Sequence, residues 1–384
     1  MFCSPQLMLL KQIRWRLKIT DLIGTQNSEP ADQTANNIRT NYYSELRRLI
    51  RDKGLLNKQP AYYTFKILST LGLLVVSITL LVAVDNFWLQ LANAAFLAFV
   101  FGQIGYLGHD AGHRGVFHSI RGNEILGLGA SFLIGLSRTW WITQHNQHHS
   151  TPNDLEQDPH TTLPFLAFSQ DSARSKSRFM RFVVGYQAFY FVPLLLVEGL
   201  GIRLASIQFM LTRRKAKYLL FEPLLMGLHF LLYFGLLFYL LSPWQVLGFV
   251  LVHQGLFGLY YGLVFAPNHK GMLILDKNNP LDFLRMQVLT TRNVRPGPIT
   301  DFWYGGLNYQ IEHHLFPLMP RNKLGEARKI IKAFCQRHDI SYYETGTLKS
   351  YREILAHLHQ VSAPVRRWPG FGQTTRRGHE LEGT

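Results

Sequence analysis

Half of the histidines in this chain fall into four tight groups. Eight of its 16 histidines lie in the strings HDAGH (109–113), HNQHH (145–149), NH (268–269) and QIEHH (310–314). Two histidines four positions apart, as in the first string, project from the same face of a helix and can bind the same ion. Imidazole is a good ligand for iron, copper and zinc. The spacing therefore predicts a metal site.

The number of clustered histidines indicates more than one ion. A catalytic zinc ion takes three protein ligands and keeps one position open, so eight imidazoles exceed what a single such ion can use. Two ions with open positions account for the count. The predicted ligands are His109, His113, His145, His148, His149, His269, His313 and His314. We expect the other, scattered histidines to be surface, capping or outer-contact residues.

Four long apolar segments must position these histidines. A membrane-spanning helix needs roughly 20 apolar residues, and the segments cover about 64–84, 87–107, 219–241 and 243–265. Only one or two residues separate the members of each pair, so we expect two tight helical hairpins. The predicted fold is an all-α integral membrane protein, with four transmembrane helices in two hairpins and a cytosolic helical cap that holds a two-metal site.

Basic residues predict the orientation of the hairpins. Neither hairpin tip carries Lys or Arg, whereas Arg47, Arg48 and Arg51 precede the first span and Lys270 follows the fourth. Under the positive-inside rule, both termini and the stretch 108–218 lie in the cytoplasm. The first and third histidine groups come just after the second and fourth spans. All eight histidines can therefore meet in one layer at the cytoplasmic membrane surface.

Two other apolar stretches, 124–142 and 182–201, also have the hydropathy of a span. A single crossing at 124–142 would put the first two histidine groups on opposite faces, so this stretch must be interfacial or re-entrant. Pro193 and Glu198 in the second stretch favour an interfacial helix. The expected regions are a flexible polar extension at 1–40, the membrane domain at 41–363 and a basic disordered tail at 364–384.

The net positive charge of the chain indicates which kinds of binding partner to expect. Lys and Arg number 40 against 24 Asp and Glu, for a net charge of +16. Such a chain suits a lipid bilayer with anionic headgroups or an acidic electron donor, and without a recognised binding motif we expect no nucleic acid partner. Cys3 and Cys335 form no Cys-x-x-Cys pair, which argues against zinc ribbons and iron–sulfur clusters.

The three multi-histidine strings, in this order around two hairpins, resemble the histidine boxes of membrane-bound fatty-acid desaturases. The resemblance covers roughly residues 60–360. The strings APNHKGM (266–272), RNV (292–294) and GGLNYQIEHHLFPLMPR (305–321) are similar to bacterial acyl-CoA and acyl-lipid desaturases, of the actinobacterial type in particular. The resemblance implies two non-haem iron ions held by the eight histidines, O2 as co-substrate, and a bacterial cell membrane as the location.

The implied reaction is the insertion of a cis double bond into a long acyl chain carried by coenzyme A or by a lipid. A di-iron hydroxylase of alkyl or carotenoid chains uses the same kind of site and is the alternative. A metal transporter would need ligands inside the spans, whereas these groups lie beyond the span ends. The chain shows no His-Pro-Gly-Gly haem motif and no dinucleotide fingerprint, so we expect a separate electron donor, a ferredoxin or a flavin reductase.

Polar residues beside the histidines are candidates for outer contacts. Asp110 and Glu312 lie inside the strings and can accept hydrogen bonds from the ring N–H groups of ligating histidines. Gln310 stands where other branches of the family have histidine, and Asn268 precedes His269; either amide can hold water or orient a ligand. We also expect an apolar tunnel for the acyl chain, lined by Phe132, Trp140, Trp141, Phe302 and Trp303.

Overall fold

The computed structural model describes residues 31–212, 220–276 and 279–366. The helices are α1 (Ala31–Asp52), α2 (Pro60–Ala83), α3 (Phe87–Gly112), α4 (Ile120–Ile134), α5 (Arg138–Ser150), α6 (Gln170–Ser175), α7 (Arg178–Gly185), α8 (Gln187–Thr212), α9 (Phe221–Leu240), α10 (Pro243–His269), α11 (Phe283–Leu289), α12 (Pro298–Tyr304), α13 (Gln310–Leu315), α14 (Arg321–Arg337), α15 (Thr347–Val361) and α16 (Ala363–Arg366). Two short strands, β1 (Asn293–Val294) and β2 (Glu344–Thr345), pair in parallel.

The chain divides into two compact units, 1–47 and 48–384. The described part of the first unit is helical and belongs to α1, which begins at Ala31, inside the extension expected at 1–40. Residues 1–30 of that extension, and 367–384 of the expected tail, lie outside the described residues. Everything below concerns the second unit.

Among the described residues, five helices are long and apolar enough to cross a membrane: α2, α3, α8, α9 and α10. The chain is therefore a multi-pass membrane protein. The sequence predicted four spans without α8, so the count of four is not confirmed. α8 runs without a break from Gln187 to Thr212 and contains Pro193. Proline is tolerated in such helices because neighbouring groups satisfy the freed backbone, so Pro193 does not by itself distinguish an interfacial helix from a span.

Helices α4 and α5 are joined by a bend of 108°. Gly135 ends α4 in the left-handed conformation, with φ 70°, which glycine adopts without steric cost. Ser137 then begins α5 by accepting a hydrogen bond from the backbone N–H of Trp140 at 3.0 Å. The bend lets α5 return toward the end of α3, where the rings of His145 and His109 lie 5.0 Å apart.

Helices α3 and α10 continue beyond the predicted spans. The predicted ends, at 107 and 265, mark where the sequence becomes more polar, but α3 reaches Gly112 and α10 reaches His269. Backbone hydrogen bonds do not depend on side-chain polarity, so the helices persist past the hydropathy boundary. His109 and His269 consequently lie on the last turns of two long helices.

The central helix, α10, packs against α3 on one side and α8 on the other. At the contact with α8, glycines let the two backbones touch: a Cβ on Gly258 would lie 2.5 Å from the carbonyl oxygen of Leu195, and one on Gly199 would lie 2.8 Å from that of Gln254. Small residues permit this close approach between membrane helices. The contact fixes α10, and with it His269.

The segments after α10 cover one end of the helical bundle and position the last histidines. Asn293 of β1 lies opposite Glu344 of β2, and α14 buries Leu324, Ile331 and Phe334. The short helix α13 packs between α11, α14 and β1. Its side chains from Gln310 to Leu315 are all buried. The residues of the QIEHH string are therefore fixed by packing against these neighbouring elements.

Candidate metal centre

The first histidine group comprises His109 on α3, His113 at the end of α3, His145 on α5 and His313 on α13. One ring nitrogen from each lies within 4.8 Å of the others. The closest pair is His113 Nε2 and His145 Nε2, which are 2.8 Å apart. Three separate elements thus converge on one point.

The second group comprises His148 on α5, His269 on α10 and His314 on α13, and again the ring nitrogens lie within 4.8 Å of one another. His148 Nε2 and His269 Nε2 are 3.2 Å apart. Helices α5 and α13 therefore contribute to both groups, because neighbouring histidines on each of them point to different sides.

His149 lies between the two groups. Its Nε2 is 3.1 Å from His145 Nε2 and 3.1 Å from His313 Nε2, both in the first group. Its ring also stacks on that of His314 in the second group, with centroids 4.1 Å apart and an angle of 14°. All eight histidines predicted from the sequence are thus brought together.

The geometry of these nitrogens fits metal ions. Nitrogen ligands at about 2.1 Å from a shared ion lie about 3 Å apart when their bonds meet at right angles. Two buried nitrogens, His109 Nε2 and His314 Nε2, have no hydrogen-bond partner among the described residues, and an unpaired buried polar atom is costly. A bound ion removes that cost, and an all-imidazole donor set suits a transition metal.

Burial keeps several of these imidazoles neutral, which is the form that binds metal. For His113, His313 and His314, burial and then the neighbouring histidines hold the pKa well below the ordinary value. A protonated ring would place a positive charge inside a cluster that has little water to solvate it.

The outer ring nitrogens of the second group all have protein partners. His148 Nδ1 is 2.9 Å from a carboxylate oxygen of Asp158, His314 Nδ1 is 2.8 Å from Gln287 Oε1, and His269 Nδ1 is 3.3 Å from the backbone oxygen of Thr290. Partners of this kind fix the tautomer and the orientation of a ligating imidazole.

Asp158 is fully buried and is held by its own loop. Its carboxylate accepts hydrogen bonds from the backbone N–H groups of Asn153 at 2.8 Å and His160 at 2.9 Å. Burial alone would raise its pKa, but the hydrogen bond with His148 outweighs burial and lowers the pKa below its usual range. Asp158 is therefore a carboxylate anion facing His148.

Asp110 has a different set of contacts. One of its oxygens lies 3.2 Å from His109 Nδ1, as expected for an outer partner. The other lies 2.6 Å from Arg321 Nε and accepts a hydrogen bond from Tyr63 at 3.0 Å. The charge of Asp110 is thus shared between a histidine and a buried arginine.

The two amides predicted from the sequence lie in the second group. Gln310 Nε2 is 3.1 Å from His269 Nε2, on the side that faces the other ligands. Asn268 Nδ2 donates to Gln310 Oε1 at 3.1 Å, and Asn268 Oδ1 is buried without a partner among the described residues. Gln310 therefore presents its amide where an ion would lie, and Asn268 supports that amide from behind.

Glu312 links α13 to its surroundings. Its carboxylate accepts hydrogen bonds from Asn293 at 2.6 Å and from Tyr342 at 2.8 Å, and burial raises its pKa to about 7. Asn293 in turn accepts a hydrogen bond from the backbone N–H of Ile311. These contacts position the helix that carries His313 and His314, whereas we had expected a direct contact with a histidine.

Sequence reasoning preferred Asp110 and Glu312 to Asp158 as outer partners, and it missed Gln287 and Thr290. Asp158 follows His148 by ten residues in a loop, and its nearness to the histidine string was the one available signal. Gln287 and Thr290 belong to the region after α10, and no motif marks them. His160 lies beside the second group, with its ring 4.6 Å from that of His148.

An apolar cavity adjoins His109. It is lined by Gly102, Gly105, Gly108, Ile134, Trp141, Phe257, Tyr260 and Tyr261, among others. A Cβ on Gly105 would meet nothing within 4 Å, so this glycine leaves open space. Of the aromatic residues predicted to line a tunnel, Trp141 borders this cavity, and Phe302 borders a second, more polar one together with Lys66 and Arg321.

Comparison with known proteins agrees with this site. The family model for fatty acid desaturases matches residues 86–346. The chain is 29% identical over 359 residues to an acyl-lipid (9-3)-desaturase of Physcomitrium patens, covering 91% of this chain and 67% of the relative. It is 29% identical over 379 residues to a Delta(6)-fatty-acid desaturase of Caenorhabditis elegans, covering 93% and 83%.

A Delta(8)-fatty-acid desaturase of Euglena gracilis is 31% identical over 331 residues, covering 81% of this chain and 76% of the relative. These relatives are eukaryotic desaturases, which favours desaturation over hydroxylation. The chain belongs to the fatty acid desaturase family and is an oxidoreductase that introduces double bonds into fatty acyl chains.

Proposed function

We propose that the two histidine groups hold two non-haem iron ions, one in each group, with His149 between them. The observation that carries this proposal is the presence of two sets of converging ring nitrogens, each within 4.8 Å, on shared helices. When bound, iron supplies the capacity to use O2 and two electrons to remove hydrogen from an unactivated pair of methylene groups.

The residues of this chain orient and shield that chemistry. Asp158, Gln287 and Thr290 hold the rings of the second group through their outer nitrogens. The side chains of His109, His148 and His314 are nearly inaccessible to solvent. Excluding water protects a strong oxidant and leaves the positioning of the acyl chain to select the bond.

The cavity beside His109 is the proposed site of the acyl chain. Its lining is almost entirely apolar, and the glycines at 102, 105 and 108 follow one face of α3. Replacing Gly105 with Leu should leave the fold intact, because no atom lies within 4 Å of the added Cβ, yet it fills the cavity. Desaturation of long chains should therefore fall in this variant while its iron content is retained.

The relatives suggest the position of the new double bond. Among the relatives are Delta(5)-, Delta(6)- and Delta(8)-fatty-acid desaturases and acyl-lipid desaturases. We infer that this chain also acts at a carbon between 5 and 8 from the carboxyl end, on a lipid-linked acyl chain. Coenzyme A is the other carrier to be tested.

Membrane orientation follows from charge and geometry together. The ends of α3 and α10 both reach the histidine cluster, which favours two hairpins that enter from the same side. Ser137 contacts both Ser206 of α8 and Glu222 of α9. The late part of α8 and the start of α9 therefore meet, which supports four complete crossings, with α8 entering the bilayer without making a fifth.

We place the histidine side and both termini in the cytoplasm by the positive-inside rule. Electrons are proposed to come from a separate ferredoxin or flavin reductase, which a basic protein can attract through charge. The proposed location in a bacterial membrane depends only on the sequence strings that resemble actinobacterial desaturases. The relatives named above are eukaryotic.

The test is lipid analysis of cells that express the chain and are fed saturated and monounsaturated acids of defined length. A new cis double bond at carbon 5 to 8, first appearing in glycerolipids, is the expected product. A His145→Ala variant serves as the inactive control. A hydroxylated product without an alkene contradicts the reaction, and purified protein that carries zinc with less than about one iron per chain contradicts the di-iron proposal.

A further inference from the structure

Helix α7 has two faces of different chemistry. Val184 and Gly185 are buried, and Val184 packs with Ala167, Ala173 and Val361. The opposite face is open: Phe179 is 67% exposed and Phe182 is 54% exposed. Large aromatic side chains on an open face of a short helix require a partner.

The exposed side chains of α7 form two adjacent stripes. Phe179, Phe182 and Tyr186 recur at helical spacing and make an aromatic stripe, while Arg178 and Arg181, both exposed, make a basic one beside it. An apolar stripe flanked by arginines is typical of helices that lie in a membrane interface, with the rings among the acyl chains and the charges at the headgroups.

The aromatic stripe continues onto neighbouring elements. Phe189 at the start of α8 is 71% exposed, and α8 is one of the helices that can enter the bilayer. Tyr190 donates a hydrogen bond to the carbonyl oxygen of Phe165 at 2.5 Å, which brings that exposed ring alongside. The patch, here called the interfacial patch, consists of Leu163, Phe165, Phe179, Phe182, Tyr186 and Phe189.

Charge indicates which membrane the patch fits. Between positions 170 and 186 there are four basic residues and one acidic residue, a difference of three positive charges. Lys176 is tied to the patch, because its ammonium donates to the carbonyl oxygen of Leu163 at 2.8 Å. A surface that faces only water would account for the exposed basic side chains but not for the exposed aromatic rings beside them. An anionic lipid leaflet accounts for both, because acyl chains receive the rings and headgroups attract the cations.

We propose that the interfacial patch seats α7 in the headgroup layer of an anionic leaflet, with its aromatic rings below the phosphates and its arginines paired with them. This goes beyond desaturation, because it assigns a lipid-binding surface outside the acyl cavity. The loop that carries Asp158 runs from α5 to α6 and ends beside Ala167, which packs against α7.

The experiment measures the depth of α7 directly. The full-length, iron-loaded chain with Cys3→Ser carries a nitroxide label on Phe182→Cys, in nanodiscs of phosphatidylcholine with or without phosphatidylglycerol. Collisions with O2 report lipid, and collisions with a water-soluble nickel complex report solvent. Leu204→Cys on α8 and Lys329→Cys on the polar helix α14, both exposed, serve as lipid and water references.

The label at 182 should favour O2 over nickel, lie shallower than the label at 204, and move deeper when phosphatidylglycerol is present. Arg178→Gln with Arg181→Gln should reduce the docked population by about fivefold per charge in the anionic nanodiscs. The matched pair Lys329→Gln with Arg337→Gln should leave it unchanged, and far-UV circular dichroism reports that each variant is folded.

Three results would overturn the proposal. The first is a label at 182 that meets nickel as freely as the label at 329 in both lipids. The second is a label shielded from both probes, which indicates that another protein or a second copy covers the patch. The third is an unchanged depth in the arginine variant. None of these readouts depends on desaturation, so they are separate from a failure of the proposed function.

Discussion

The two histidine groups share helices α5 and α13 but are held in different ways. In the second group all three outer nitrogens contact protein oxygens, from Asp158, Gln287 and Thr290. In the first group Asp110 divides its two oxygens between His109 and the buried Arg321. The difference shows that a carboxylate beside a metal-ligating histidine does not always serve only to orient that histidine. Asp158 orients a ring, whereas Asp110 also neutralises a buried cation.

The largest expected effect is a loss of stability when the charge of Asp110 is removed. Asp110→Asn leaves the Arg321 guanidinium, whose side chain is 7% exposed, without its partner. Removing one member of a buried ion pair costs about 3–5 kcal/mol. We expect a marked fall in the thermal unfolding temperature in detergent, with both irons retained in the protein that remains folded.

A double-mutant cycle controls this prediction. Arg321→Met combined with Asp110→Asn should recover part of the lost stability, because the buried charge is then removed as well. A stable Asp110→Asn variant that has lost iron would reverse the roles assigned to the two carboxylates.

The next effect concerns Asp158. Asp158→Asn keeps the shape but removes the charge that faces His148, and loss of such an outer partner typically lowers metal affinity or activity about 10- to 100-fold. Iron should fall from two toward one per chain, with the unfolding temperature of the metal-free protein changed less than in Asp110→Asn. Metal analysis after dialysis against a mild chelator measures it. Equal retention of both irons would contradict the orienting role.

Gln310 tests whether the second group needs an amide on the ligand side. Gln310→Leu removes the contact with His269 Nε2 while conserving volume. We expect activity to fall about tenfold, with the iron content largely preserved, since three histidines of that group remain. Asn268→Leu is the matched control, because its Nδ2 supports Gln310 from behind, and its effect should be smaller. Wild-type activity in Gln310→Leu would exclude the amide from the site.

The smallest expected effect is on the pH dependence of stability, to which the two histidine groups should contribute equally. Burial lowers the pKa of His313 in the first group and of His314 in the second. Below about pH 6.5 these histidines are protonated in the unfolded chain but stay neutral in the folded chain. The metal-free protein should therefore lose stability as the pH falls. Thermal unfolding between about pH 7.5 and 5.5 measures the slope. His313→Ala and His314→Ala should flatten it to a similar extent.

The sequence revealed those parts of the site that depend on local pattern. His109 with His113, and His145 with His149, are one helical turn apart in the chain, and the apolar segments are long enough to predict the hairpins. It did not reveal contacts made by tertiary packing. Gln287 reaches His314 only because α11 and α13 pack together, and nothing near Gln287 in the chain signals that.

The extent of helices was also hard to predict. Hydropathy ended α10 near 265, although the helix carries His269 on its last turn, because polarity marks the membrane boundary and not the helix end. α8 shows a related difficulty: Pro193 and Glu198 favoured an interfacial helix, whereas the structure has one unbroken helix that is also long and apolar enough to cross a membrane.

Helices α5 and α13 each carry histidines for both groups, and this sharing couples the two ions. His145 and His148 are separated by less than one helical turn, and His313 and His314 are adjacent. An ion in either group therefore immobilises the backbone that presents ligands to the other. An ion bound in one group would therefore favour binding in the other, and we expect the second iron to bind more tightly than the first.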